Sequence, residues 1–217
     1  MTSIEKAKQV IRGISTGDAL FTSPFVSERC QSQSYIKEKK GREKCGIVFL
    51  HCFEDHNYAI LHSTYGLDNK EERIDVFQFE NGQIISHSQK LIRTFKGLPC
   101  ECLEDTNSTY IESIEINKAV IRTFSKIVLI KRQFDELKLI LNAAVNMQSK
   151  NDADELEKQW IEFLFKTDRV YKRIYQIFGD NNIVLAVSEG LIKGIPTNFF
   201  DLFKLKNRKI IAHWNSK

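Results

Sequence analysis

With 217 residues, 42% of them hydrophobic and 28% charged, the chain has the make-up of a folded globular protein rather than a disordered one. Its net charge of +4 comes from basic residues interleaved with acids, as in Lys37-Glu38-Lys39-Lys40-Gly41-Arg42-Glu43-Lys44. That is the pattern of a solvated surface, not of a phosphate-tracking stripe, and nucleic acid is not an expected partner. The opening Met1-Thr2-Ser3-Ile4-Glu5-Lys6 has no apolar run, and no segment nears the roughly 18 apolar residues of a membrane span, so a cytoplasmic setting away from membranes is expected.

In chain order, Ile4, Ala7, Val10, Ile11 and Ile14 recur at helical spacing and predict a helix over residues 4–16, ending near Gly17. The period then switches to that of strands. Segments 47–53 and 58–65 flank Glu54-Asp55-His56-Asn57, and segments 74–79 and 83–91 flank Glu80-Asn81-Gly82. Asn-Gly is among the strongest short hairpin signals. The stretch from Thr94 to Ser113, with Gly97, Pro99, Asp105, Asn107 and Ser108, lacks periodicity and reads as a linker.

The second half repeats this order. Val120, Ile121, Phe124, Ile127 and Val128 predict a helix, and helical patterns follow over 134–145 and 154–165. Strands 170–178 and 183–193 flank Gly179-Asp180-Asn181-Asn182, and strands 199–205 and 209–214 flank Lys206-Asn207-Arg208. Each half ends in Asp-x-Phe-x-x-x-Asn-x-x-Ile-Ile-x-His, at Asp75 to His87 and at Asp201 to His213. The chain thus reads as two diverged copies of one α+β unit: a first domain over 1–95, a linker over 96–113 and a second domain over 114–217. The first copy is shorter, with fewer residues from Gln31 to Asp55 than from Gln148 to Asp180, so the second is the better place for a functional site.

Strand alternation puts Asp75 on a face with Phe77 and Phe79, and Asp201 on a face with Phe203 and Leu205. Burial among such neighbours disfavours a charged carboxyl, while an Asp that merely opens its strand could equally cap a turn at the rim. The same alternation pairs His87 with Ile85 and His213 with Ile211. Trp160, Phe163, Phe165, Tyr171 and Tyr175 form the richest aromatic group, ordinarily core, with Trp160 and Tyr175 as candidate pocket walls. His51, Cys52, His56, His62 and Cys45 lack zinc-site spacing, and no phosphate-cradling glycine loop occurs, so neither metal nor cofactor is expected. The five cysteines, Cys30, Cys45, Cys52, Cys100 and Cys102, form no regular framework and are expected as thiols.

Helices followed by a meander that closes on Asp-x-Phe-x-x-x-Asn-Gly-x-Ile-x-x-His resembles the SnoaL-like polyketide cyclases of the nuclear transport factor two superfamily. The resemblance implies two tandem cone-shaped curved antiparallel sheets, each packed on N-terminal helices, together forming an intramolecular pseudo-dimer and leaving further self-association open. It implies a small hydrophobic ligand in an apolar pocket. It also implies cofactor-free acid–base chemistry of the isomerase, dehydratase or cyclase kind, with Asp75, His87, Asp201 and His213 as catalytic candidates. The Asp position is similar to an aspartic acid of ketosteroid isomerases, relatives on that fold.

The chain departs from the family where His is usually followed by Trp-Asp. Here stand Ser88-Gln89 and Trp214-Asn215, with Asn215 a candidate ligand contact at the acid's position. Both copies are therefore expected to lack an acid that orients the imidazole. Gln31-Ser32-Gln33-Ser34 and Gln148-Ser149-Lys150-Asn151 stand where the family carries Gln-His-Asn-Pro, leaving serine in place of a pocket histidine. The alternative from another class is a protein-interaction module that uses its sheet faces.

Overall fold

The computed structural model describes residues 1–16, 24–32, 46–66, 71–94, 113–133, 158, 162–163 and 168–216. The fold is α+β, with few helices among the described residues and a strongly curled antiparallel sheet. The chain divides into two compact units, Met1–Ile92 and Arg93–Ser216. No described helix is long and apolar enough to cross a membrane.

In the first unit, helix α1 (Ser3–Thr16) lays Ala7, Val10 and Ile11 into a core completed by Ala59, Leu61, Phe77, Phe79 and Ile84. Those helix residues fall on one stripe because three- and four-residue steps return to the same face. Strand β1 (Val26–Ser32) precedes the meander β2 (Ile47–Asp55), β3 (Tyr58–Tyr65), β4 (Glu71–Glu80) and β5 (Gln83–Thr94), in which each strand pairs antiparallel with the next. β1 runs parallel to the start of β5, with Gln31 opposite Ser86 and Ser32 opposite His87. The strand that holds Gln31 and Ser32 is not anticipated from Val-Ser-Glu-Arg-Cys-Gln-Ser, which has no apolar alternation.

In the second unit, α2 (Ile114–Phe124) runs on into a π-helical turn, Ser125–Ile130, and the two pack on β6 (Arg169–Asp180). The meander continues through β7 (Ile183–Ile192), β8 (Ile195–Lys206) and β9 (Lys209–Ser216), again antiparallel throughout. Ile121, Phe124, Val128, Leu129, Phe199 and Phe203 lead its core. The helical patterns expected over 134–145 and most of 154–165 lie outside the described residues.

The predicted strands recur, most with ends extended by a few residues, while 58–65 keeps its bounds and 183–193 loses its last residue. Five of the hairpin joints close with two-residue turns, between Asp55 and Tyr58, Glu80 and Gln83, Asp180 and Ile183, Ile192 and Ile195, and Lys206 and Lys209. The β4–β5 turn places Asn81 and Gly82 at φ 51° and 75°, and the β8–β9 turn places Asn207 and Arg208 at 53° and 64°. Left-handed residues suit the twist of the strands they join, and Asn and Gly adopt that conformation more readily than Arg.

Candidate functional site

Asp75 lies in the middle of β4 and Asp201 in the middle of β8, and both side chains are wholly buried. Neither opens its strand at a rim. Each is reached by the histidine at the end of its own repeat. His87 Nε2 lies 2.8 Å from Asp75 Oδ1, and His213 Nε2 lies 2.9 Å from Asp201 Oδ1, distances of an imidazole N–H donated to a carboxylate.

A β-bulge makes these contacts. Phe79 pairs with Ile84, but Gln78 pairs with Ser86, leaving Ile85 as the extra residue; likewise Leu205 pairs with Ile210 and Lys204 with Ala212, leaving Ile211 extra. An extra residue shifts every later side chain of its strand to the other face. His87 therefore stands opposite Phe77 and His213 opposite Phe203, each one cross-strand step from the Asp. His87 thus does not share a face with Ile85, where unbroken alternation would put it, and His213 is re-aimed by the same register shift. The expectation that no acid orients either imidazole is overturned for the same reason: the repeat's own Asp does so, two residues along the facing strand. Each imidazole also stacks on the intervening ring, His87 on Phe77 at 4.1 Å and His213 on Phe203 at 4.6 Å between centroids.

The two pairs differ in what surrounds them. In the first unit Arg73, two residues before Asp75 on the same strand face, donates its Nε to Asp75 Oδ2 at 3.0 Å. Its guanidinium lies over the Tyr65 ring, 3.5 Å from the centroid, and beside the Gln89 amide. Both oxygens of Asp75 are thus engaged, one by a cation and one by an imidazole.

In the second unit Tyr171 donates its hydroxyl to Asp201 Oδ1 at 3.3 Å, so two donors share that oxygen. Asp201 Oδ2 has no hydrogen-bond partner. Burial, and then the Asp201 carboxylate, push the Tyr171 hydroxyl well above its ordinary pKa of 10, against the opposing pull of Arg169. Arg169, two residues before Tyr171, is only 3% exposed and lies 5.3 Å from the ring centres of both Phe163 and Phe199. Its Nη2 donates to the Ser216 carbonyl, while Nη1 has no partner. Asn215 stands across the ladder from Asp201, buried, with its Nδ2 also unpartnered.

Gly190 shapes this corner. It pairs with Tyr171, and a Cβ there would collide with the Val170 carbonyl and with the Phe199 ring. Only a residue without a side chain lets β6 and β7 approach while Phe199 packs at a tilt against Tyr171, 4.3 Å between centroids.

Of the other sequence candidates, Trp160 lies outside the described residues. Tyr175 is 66% exposed. Register breaks between Tyr171 and Arg173 and again between Ile174 and Gln176 upset the alternation on which a pocket-wall role for Tyr175 depends. His51 stacks on His62, whose Nε2 lies 3.2 Å from Glu72 Oε2. Among the described residues no three His, Cys, Asp or Glu side chains gather as a metal site. Sequence reasoning missed Arg73 and Arg169 and passed over Tyr171. The signal that could have found them is their place two residues from an inward residue of the same strand, Arg73 before Asp75 and Arg169 before Tyr171. No protein-family model matches the chain, and no curated protein matches it.

Proposed function

We propose that the second unit is a SnoaL-like small-molecule site that takes an apolar or aromatic molecule and uses Asp201 and His213 as an acid–base pair. The observation that carries this reading is the buried Asp201 carboxyl, in which Oδ1 is held by His213 and Tyr171 and Oδ2 has no partner. A buried carboxylate oxygen without a donor is costly unless something else approaches it. With Oδ1 occupied, Oδ2 is the oxygen left to take a proton from, or return one to, a bound molecule. His213 and Tyr171 then fix the carboxyl's plane while the proton moves. Such a pair suits cofactor-free isomerisation, dehydration or ring closure, as the resemblance implies. The surrounding Phe163, Phe199 and Phe203 fit an aromatic ligand. Asp75, with both oxygens engaged, is assigned a structural role.

The test is a fragment screen followed by NMR amide mapping on the wild type and on Asp201→Asn. Hits should perturb Tyr171, Phe199 and His213 and should bind the variant several-fold more weakly. Hits that bind both proteins alike, or that map elsewhere, defeat the reading.

A second reading, a protein-interaction module, draws on Tyr175 and Ile195, 66% and 67% exposed, with Val170 also exposed on β6. Substituting Tyr175 and Ile195 with Ser would abolish a partner's binding under that reading and leave fragment binding intact under the first.

A further inference from the structure

We infer that the ligand of the second unit is a carboxylic acid, its anionic group received by Arg169 Nη1 and Asn215 Nδ2 and its own donor group turned to Asp201 Oδ2. The inference rests on the ligand-site reading above and names the chemical class that reading leaves open.

Among the buried polar atoms of this unit that have no hydrogen-bond partner, three sit around the Asp201 carboxyl and differ in sign: two donors, Arg169 Nη1 and Asn215 Nδ2, and one acceptor, Asp201 Oδ2. They belong to one neighbourhood. Asn215 is the ladder partner of Asp201, and Arg169 holds the carbonyl of Ser216, the residue after Asn215. Tyr171 lies between the two charged ends in the sheet, hydrogen-bonded to Asp201 and two residues from Arg169 on the same strand.

The charge balance makes the case sharper. Arg169 is a permanent cation, hydrogen-bonded to a backbone carbonyl and set against the faces of two phenyl rings, with the Tyr171 hydroxyl within its electrostatic reach and no carboxylate paired to it among the described residues. Ring faces attract a guanidinium but do not neutralise it, and a buried charge calls for a counter-charge with good geometry. Asp201 forms no ion pair with it, and its Oδ1 is taken by Tyr171 and His213. The first unit shows the neutralised arrangement, where Arg73 meets Asp75 directly at 3.0 Å. A ligand carboxylate would accept from Arg169 and Asn215 together, as carboxylates commonly do from planar guanidinium donors. A hydroxyl elsewhere on the same molecule would donate to Asp201 Oδ2. Aromatic walls complete the description of a hydroxylated aromatic acid.

The experiment uses the full chain and three matched probes, 4-hydroxybenzoate, benzoate and 4-hydroxybenzamide, with affinities read by calorimetry and folding checked by circular dichroism. The expected order is 4-hydroxybenzoate first, benzoate weaker, and 4-hydroxybenzamide at least tenfold weaker than the matching acid. Arg169→Gln should remove the preference for acid over amide, and Asn215→Ala should reduce it. Because Arg169 also holds the Ser216 carbonyl, Asn215→Ala keeps the test decisive if the arginine variant does not fold. Equal affinity for the acid and the amide would overturn the carboxylate assignment while leaving a neutral-ligand site standing. Loss of acid preference in neither variant would likewise overturn it, and failure of all three probes to bind would overturn both the assignment and the site.

Discussion

His213 and Asp201 meet at 2.9 Å across a buried hairpin, and both of their side chains are inaccessible to solvent. The same relation between His87 and Asp75, at 2.8 Å, is reinforced by Arg73 on the second carboxyl oxygen, which Asp201 lacks. The two pairs should therefore respond differently to the same substitution. Asp75→Asn leaves a partly buried guanidinium without its carboxylate and should cost about 1.5–3 kcal/mol, the range for hydrogen bonds to charged groups. Asp201→Asn removes a buried charge that has no cation on it, and should cost about 1 kcal/mol or less. Urea unfolding of the two single variants measures the difference; equal losses would remove the distinction drawn between them.

Tyr171 predicts a pH dependence. Its hydroxyl is held well above its ordinary value of 10 by burial and by the Asp201 carboxylate, so the folded chain keeps this proton after the unfolded chain has begun to release it. The stabilisation is complete below pH about 10 and is lost as the pH rises through the folded-state value. Spectrophotometric titration of wild type against Tyr171→Phe should show that the lost phenol is one that ionises late. The variant's urea midpoint should also fall less steeply above pH about 10.

Gly190→Ala should destabilise the second unit by about 2 kcal/mol, within the range for overpacking a closed site. The new methyl meets the Val170 carbonyl, which is backbone and cannot turn aside, as well as the Phe199 ring. Displacing Phe199 also disturbs a ring beside Arg169, so affinity for any ligand of that unit should fall together with the urea midpoint.

Arg208→Gly should stabilise. Arg208 holds φ 64° where the first copy has Gly82 at 75°, so the arginine bears a left-handed strain that glycine does not. The greater freedom of glycine in the unfolded chain offsets part of the gain, leaving about 0.5 kcal/mol, readable as a small rise in the urea midpoint.

Most of the fold is legible in the sequence because its strands are largely apolar runs set off by turns whose residues tolerate left-handed backbone. Tyr58–Tyr65, buried through its middle and opening directly after a turn with His56 at φ 56°, is the clearest instance. β1 is not legible, since Ser27, Glu28, Arg29 and Gln31 carry no apolar pattern and the strand is defined by its partner, β5. The Asp and His of each repeat can be picked out as candidates, but their contact cannot. A two-residue periodicity carried straight through Ile85 or Ile211 turns the histidine to the wrong face, and nothing in Ile-Ile announces an extra residue. Arg169 escapes for another reason. A lone arginine at the start of a strand reads as solvated, and its burial follows from Phe163, ahead of the strand, and Phe199, two strands further on.

The shared bulge also bears on the order of events in the chain's history. An Asp, a His and one surplus residue between them form a linked set, because losing the surplus residue's register would separate the other two. Finding the whole set twice is most simply explained by a single-copy ancestor that already possessed it, with Arg73 on one side and Tyr171 with Arg169 on the other marking later divergence. A living relative built from one copy should then carry all three together, and its pair should be the version from which a tethered and an open descendant both arose.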